Sequence, residues 1–178
     1  MTTPEAYNIY LSLGLAPDKA MLAASQSAFE TTYNGKTWNS PVFLKNNNVG
    51  GIMFVNRSFQ KNAVSGSAFP QNEWPNLNTP IYYAKFATIK DSFIDHIRIT
   101  YKALINSNNS VEYARNLKAQ GYYTGNEQAY AKNLNYVYNI LAFNLKKKVP
   151  DSMTAGASFI IKAVVLGLII TNLLKLKK

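Results

Sequence analysis

Ala23-Ala24-Ser25-Gln26-Ser27-Ala28-Phe29-Glu30-Thr31-Thr32-Tyr33-Asn34-Gly35 is the stretch whose reading decides the fold. Met21, Leu22, Ser25, Ala28 and Phe29 recur at helical spacing, which predicts an amphipathic helix with one face turned to a core. The helix runs out into Thr31–Gly35 directly after Glu30. A carboxyl group beside Phe29 and near Tyr33 would lie against apolar surface. Lost hydration disfavours the charged form there, raises the pKa and keeps a proton at hand for general acid chemistry near neutral pH. On the local pattern alone, a solvated Glu at a helix end is the commoner case. The rest of the chain has to decide between the two.

Composition narrows the choice. The chain has 178 residues, 47% of them apolar, enough for one domain with a proper core and an appendage. There is no cysteine and a single histidine. Disulfides, a thiol nucleophile and Cys- or His-rich metal sites are therefore excluded, and no metal or organic cofactor is expected. A formal net charge of +10 suits an anionic polymer or surface as partner. With only nine acids, any two-carboxylate chemistry must draw on Glu5, Asp18, Glu30, Glu73, Asp91, Asp95, Glu112, Glu127 and Asp151.

On either side of the opening stretch, local signals set the elements. Pro4 to Leu13 predicts a first helix, capped by Thr2 or Thr3 and ended by Gly14. Pro17-Asp18 starts the helix that carries Glu30. Trp38 to Asn48 is Asn-rich and is expected to be a loop. In Asn47-Asn48-Val49-Gly50-Gly51-Ile52, the glycines permit unusual dihedrals and close backbone approach. The amides of Asn47 and Asn48 can either hold the turn or bond sugar hydroxyls. Ile81 to Phe86 predicts a strand, within a small β-hairpin lobe over about residues 55–87. Thr88 with Asp91 forms a candidate capping box for a helix through Phe93, Ile94, Ile97, Ile99, Tyr101 and Leu104. Asp95 and His96 are expected to be structural. Gly121 suits a helix C-cap, and Ala129 to Leu145 a last helix.

Four of these segments, in order, resemble the boxes of the glucosaminidase-domain peptidoglycan hydrolases of the lysozyme superfamily. Gln26–Tyr33 is similar to the family's Q-A-A-L-E-S-G-W box, with Thr31-Thr32 in place of Ser-Gly. Asn47–Ile52 resembles its N-N-x-x-G-I-K box. Tyr83–His96 resembles F-R-x-Y-x-S-x-x-x-S-F-x-D-H. Tyr113–Thr124 resembles L-x-x-A-G-Y-A-T-D-P-x-Y-A, with Gly125-Asn126 in place of Asp-Pro and Tyr130-Ala131 matching the closing Tyr-Ala. The resemblance covers about Leu13 to Leu141. It implies an α+β, mainly α, lysozyme-like domain and cleavage of β-1,4 glycan bonds of the N-acetylglucosaminidase type. Glu30 would be the acid. Glu73 in the hairpin lobe, or a water held by a Tyr, would complete the attack, and Tyr122 would line the reaction centre. Tyr33, Asn47, Asn48, Gly51, Trp74 and Tyr123 would bind the sugar.

The chain ends differently. Ala155 to Leu174 holds only Lys162, Thr171 and Asn172 as strongly polar residues, about the length that spans a bilayer as a helix. Residues 1–148 are thus expected to form the hydrolase domain and 149–178 a membrane anchor. An interfacial helix, or one buried in an oligomer, is the alternative for the tail. Met1–Glu5 has neither a basic start nor an apolar core, so no secretory signal peptide is expected. The expected partners are peptidoglycan glycan strands, the lipid bilayer and other virion proteins. This architecture suits a bacteriophage product in a virion membrane or cell envelope. A non-catalytic structural or glycan-binding protein is the second reading. Nucleic acid is not among the expected partners, because the lysines are scattered and no aromatic–basic recognition motif occurs.

Overall fold

In a computed structural model of the 178-residue chain, residues 1–33, 37–55, 60, 62–69 and 81–147 are described. Glu73, Trp74, the Tyr33 side chain and the apolar segment 155–174 lie outside the described residues. The chain divides into two compact units, Met1–Ala142 and Phe143–Lys178, and the candidate site lies within the first.

Helix α1 spans Thr3–Ser12. Thr2 caps it in a reciprocal box, accepting from the Glu5 amide while the Glu5 carboxylate accepts from the Thr2 amide at 2.7 Å. Gly14 turns the chain at φ +92°, a left-handed dihedral that glycine adopts without a Cβ penalty. Helix α2, Pro17–Thr31, begins on Pro17 with no side-chain cap. It is buried almost all round: Ala20, Leu22, Ala23, Ala24, Ser25, Gln26, Ser27, Ala28 and Thr31 are all inside. Its small side chains let neighbours close in from several sides. Several of its hydroxyls bond back to the helix itself, Ser25 to Met21 O at 2.7 Å and Thr31 to Ser27 O at 2.6 Å. Burying them therefore leaves no orphan donor. Tyr10 of α1 packs edge-on against Phe93 at 4.7 Å between centroids.

After α2, β1 (Thr32–Tyr33) pairs antiparallel with β2 (Thr37–Trp38). The expected loop over Trp38–Asn48 is not a loop throughout. Pro41–Asn46 forms a short helix, α3, with the Ser40 hydroxyl accepting from Phe43 N and Pro41 in the first turn. The Asn content masked a capping signal that Ser40-Pro41 carries. Trp38 is buried against Phe43 and Phe93.

Strand β3 (Ala63–Phe69) pairs antiparallel with β4 (Ile81–Phe86), from Ala63↔Phe86 to Phe69↔Ile81. The other edge of β4 is also taken. Phe54 N donates to Tyr82 O at 2.7 Å and Ala84 N to Ile52 O at 2.9 Å. Alternation follows the pleat: Ala84 and Phe86 are buried and Lys85 is exposed. The hairpin is thus tied to the chain that leads away from Gly51.

Helix α4, Ile89–Ile105, opens on the Thr88/Asp91 capping box, both halves of which form. Thr88→Ala should cost about 1 kcal/mol, read as a shift of the urea midpoint. Of the residues expected on its apolar face, Phe93 and Leu104 are fully buried. Ile94 and Tyr101 remain exposed. Helix α5 spans Ser110–Ala119, with Asn109 as N-cap and Gly121 just past its end at φ +73°. Helix α6 spans Glu127–Lys147 and sends Tyr130, Leu134, Val137 and Leu141 inward. The described fold is α+β and mainly α. Among the described residues no helix is long and apolar enough to cross a membrane.

Candidate active site

Glu30 sits in the last turn of α2 and is half-buried. Its Oε1 accepts from the Tyr130 hydroxyl at 2.7 Å and from Gln26 Nε2 at 3.4 Å. Gln26 lies one helical turn before Glu30, on the same face. Its Nε2 also reaches the Tyr130 oxygen at 3.4 Å. Tyr130 comes from α6, 100 residues away in sequence, and is held by rings on two sides. Phe29 meets it edge-on at 4.8 Å, and Tyr123 stacks on it at 3.8 Å. Oε2 takes no hydrogen bond from any described residue and lies against Gly51, where a Cβ would stand 3.3 Å away.

Two effects compete for the Glu30 proton. Burial opposes the charge, while the Tyr130 and Gln26 donors support it. Burial is the larger, and the pKa rises from 4.5 to about 7. No other described carboxylate contributes to that shift. Near neutrality Glu30 is therefore poised between acid and base, with one oxygen fixed and the other without a donor among the described residues.

The turn over Glu30 requires its glycines. Gly51 has φ +59°. A Cβ on Gly50 would stand 2.7 Å from both His96 Cδ2 and the Tyr122 hydroxyl oxygen. Asn48 is fully buried and anchors the turn from inside. Its Oδ1 accepts from Gly50 N and Ile52 N, and its Nδ2 donates to Ile52 O and Ala84 O. Asn47 adopts the left-handed conformation at the end of α3 and donates to Phe86 O at 3.0 Å. Of the two roles left open for these amides, both hold backbone, Asn48 through both ends of its amide and Asn47 through its Nδ2. Gly50→Ala should destabilise the fold by about 1–3 kcal/mol, because the ring it meets is fixed at both nitrogens. Thermal unfolding beside Gly125→Ala, whose Cβ would meet open space, checks this.

The other expected residues fall as follows. Tyr122 is half-buried and donates to Gly50 O at 2.6 Å, so its hydroxyl secures the turn beside Glu30. Tyr123 donates to Ala114 O at 3.1 Å. Its ring is engaged by Tyr130 and by Lys118 Nζ, 5.2 Å from the centroid. It backs Tyr130, the donor to Glu30, with one of its faces. Gly51 borders the open oxygen of Glu30. Glu73, Trp74 and the side chain of Tyr33 lie outside the described residues.

Neither Gln26 nor Tyr130 is among the residues expected in the site. The spacing of Gln26 and Glu30 was a usable signal for the first. The second had none beyond its place in the closing Tyr130-Ala131 pair. Behind Gln26, His96 and Tyr10 are fully buried. Burial pushes the imidazole pKa from 6.5 down to about 3, so His96 is neutral. Asp95 is buried and paired with Arg98 at 3.0 Å. Among the described residues no group of His, Asp and Glu is arranged to hold a metal ion.

No family model, curated protein or solved structure matches the chain.

Proposed function

We propose that this chain is a peptidoglycan hydrolase that cuts β-1,4 glycan bonds, with Glu30 as general acid. One observation carries the reading. A half-buried carboxyl titrates at about 7, with one oxygen fixed by Tyr130 and Gln26 and the other left open beside Gly51. A general acid works best when its pKa lies near the working pH. In the proposed reaction the Glu30 proton passes to the glycosidic oxygen and the C1–O bond breaks. Water adds at C1, and its proton returns to the carboxylate. Glu73, in the segment expected to form the far wall, is the proposed second carboxylate. The lysozyme-like boxes, in chain order, support the same reading, as does the basic charge against an anionic wall. The apolar segment 155–174 is proposed as the membrane anchor, in a virion or cell envelope.

The test is digestion of purified peptidoglycan by the full chain beside Glu30→Gln, with the fragments weighed by mass spectrometry. Cleavage by the parent alone assigns the acid, and the new reducing end names the bond. If the folded parent binds glycan without cutting it, the hydrolase reading fails and the glycan-binding reading replaces it.

A further inference from the structure

Behind the carboxyl lies a line of buried polar groups that the proposed reaction does not use. The Tyr10 hydroxyl stands 2.5 Å from Ser27 Oγ and 2.6 Å from His96 Nδ1. His96 Nε2 bonds Gln26 Oε1, and Gln26 Nε2 reaches Glu30 Oε1. Tyr10, Ser27, His96 and Gln26 are all fully buried, so no water competes for these bonds.

Donors and acceptors can be placed in one consistent order. The Gln26 amide turns its NH2 towards two acceptors, Glu30 Oε1 and the Tyr130 oxygen. Its carbonyl oxygen is thereby left facing His96 Nε2, and that nitrogen must carry the ring proton. Nδ1 is then a lone pair and takes the Tyr10 hydroxyl proton. The Tyr10 oxygen takes the Ser27 proton in turn. The opposite order would turn the Gln26 carbonyl onto Glu30 Oε1 and the Tyr130 oxygen, and Tyr130 already spends its proton on Oε1.

We propose that His96 is a positioning residue for Glu30: held by Tyr10 as the Nε2–H tautomer, it locks the Gln26 amide with its NH2 on Oε1 and so leaves Oε2, beside Gly51, as the oxygen that carries the proton. The role rests on the hydrolase reading only for its purpose, since the lock itself is a property of the apo chain. His96 acts through Gln26 and has no contact with the carboxyl among the bonds described. Its neutrality matters, because a ring protonated at both nitrogens could not accept from Tyr10. The ionisable groups around the carboxyl are Tyr130 on α6, Tyr113 on α5, Tyr122 after α5 and His96 on α4. Burial holds all three tyrosines protonated and the imidazole uncharged. Among the described residues no charged group contributes to the Glu30 shift, and hydrogen bonds hold the carboxyl's orientation.

The experiment uses the full chain. First, 15N spectra of the His96 ring are recorded on the unaltered protein between pH 6 and 8. The Nε2–H tautomer is expected, and the Nδ1–H tautomer overturns the proposal. This measurement needs no variant to fold. Second, Tyr10→Phe removes one hydroxyl while keeping the ring against Phe93. Glu30 is then titrated by 13C-carboxyl NMR, and glycan cleavage is measured as kcat and KM. With the lock released, Glu30 loses the Gln26 donor, and its titration midpoint moves up from about 7. The falling limb of the pH–rate profile moves with it, and kcat drops roughly ten- to a hundredfold at little change in KM. A folded variant whose Glu30 midpoint and kcat equal the parent's overturns the proposal. If the parent cuts no glycan at all, the hydrolase reading fails while the tautomer and titration results still decide this one.

Discussion

Glu30→Gln is expected to slow glycan cleavage by about 10²–10⁴-fold, the usual contribution of a positioned general acid. Gln has nearly the same shape and can still accept from Tyr130, so the loss would follow from the missing proton. The same variant carries a stability signature that needs no substrate. The folded pKa of about 7 exceeds the ordinary 4.5. Below pH 4.5 the carboxyl is protonated whether the chain is folded or not, and it contributes nothing to the pH dependence. Between 4.5 and 7 the unfolded chain releases the proton while the folded one keeps it, so the contribution of this group to stability falls as pH rises. The full difference is on the order of 3 kcal/mol. The gap between Glu30→Gln and the parent should therefore widen in the variant's favour by about that amount from pH 4.5 to 8. Urea unfolding at the two pH values measures it. A gap that does not change with pH would mean that the carboxyl is hydrated in the folded state.

His96 works in the opposite direction. Its folded pKa of about 3 lies below the ordinary 6.5. Above 6.5 the ring is neutral in both states. As pH falls from 6.5 towards 3, the unfolded chain gains a proton that the folded one refuses, and stability is lost. The loss is on the order of 4–5 kcal/mol in all, or about 1.4 kcal/mol per pH unit. It is best seen in the Glu30→Gln background, where the carboxyl no longer contributes. There the unfolding free energy should slope upward between pH 4.5 and 6.5. A flat profile in that variant would show that the ring takes up its proton without unfolding.

Much of the scaffold was legible because its signals are local. Thr2 with Glu5, Thr88 with Asp91 and Gly121 each state a helix end within four residues of themselves. Ile81–Phe86 declared a strand by its β-branched and aromatic content. Helix α3 was hidden because its turn chemistry, Asn46-Asn47-Asn48, sits at its end and drew attention from Ser40-Pro41 at its start. The site was legible only in part. Glu30 stood out as a carboxyl at the end of an apolar helix, but its acidity is set by groups distant in sequence. Tyr130 is 100 residues away and Gly51 belongs to another turn. Asn47 and Asn48 suggested sugar contacts because amides serve backbone and ligand alike. Their Nδ2 groups meet the backbone of Phe86 and Ala84, 39 and 36 residues away, which no local pattern records. No hydrophobic pattern records the His96–Gln26 contact, because it is a meeting of two buried polar side chains on different helices.

The placement of Gln26 between an imidazole and a carboxyl has one more consequence. The folded chain keeps a proton on the acid and withholds one from the base, the reverse of what water would choose between pH 4.5 and 6.5. Unfolding in that window passes one proton from Glu30 to His96. This pair then takes none from the solvent and gives none back. Its two slopes cancel, so this pair adds no net pH dependence to stability across those two units of acidity. A carboxyl held protonated near neutral pH and an imidazole held neutral thus offset one another in mild acid.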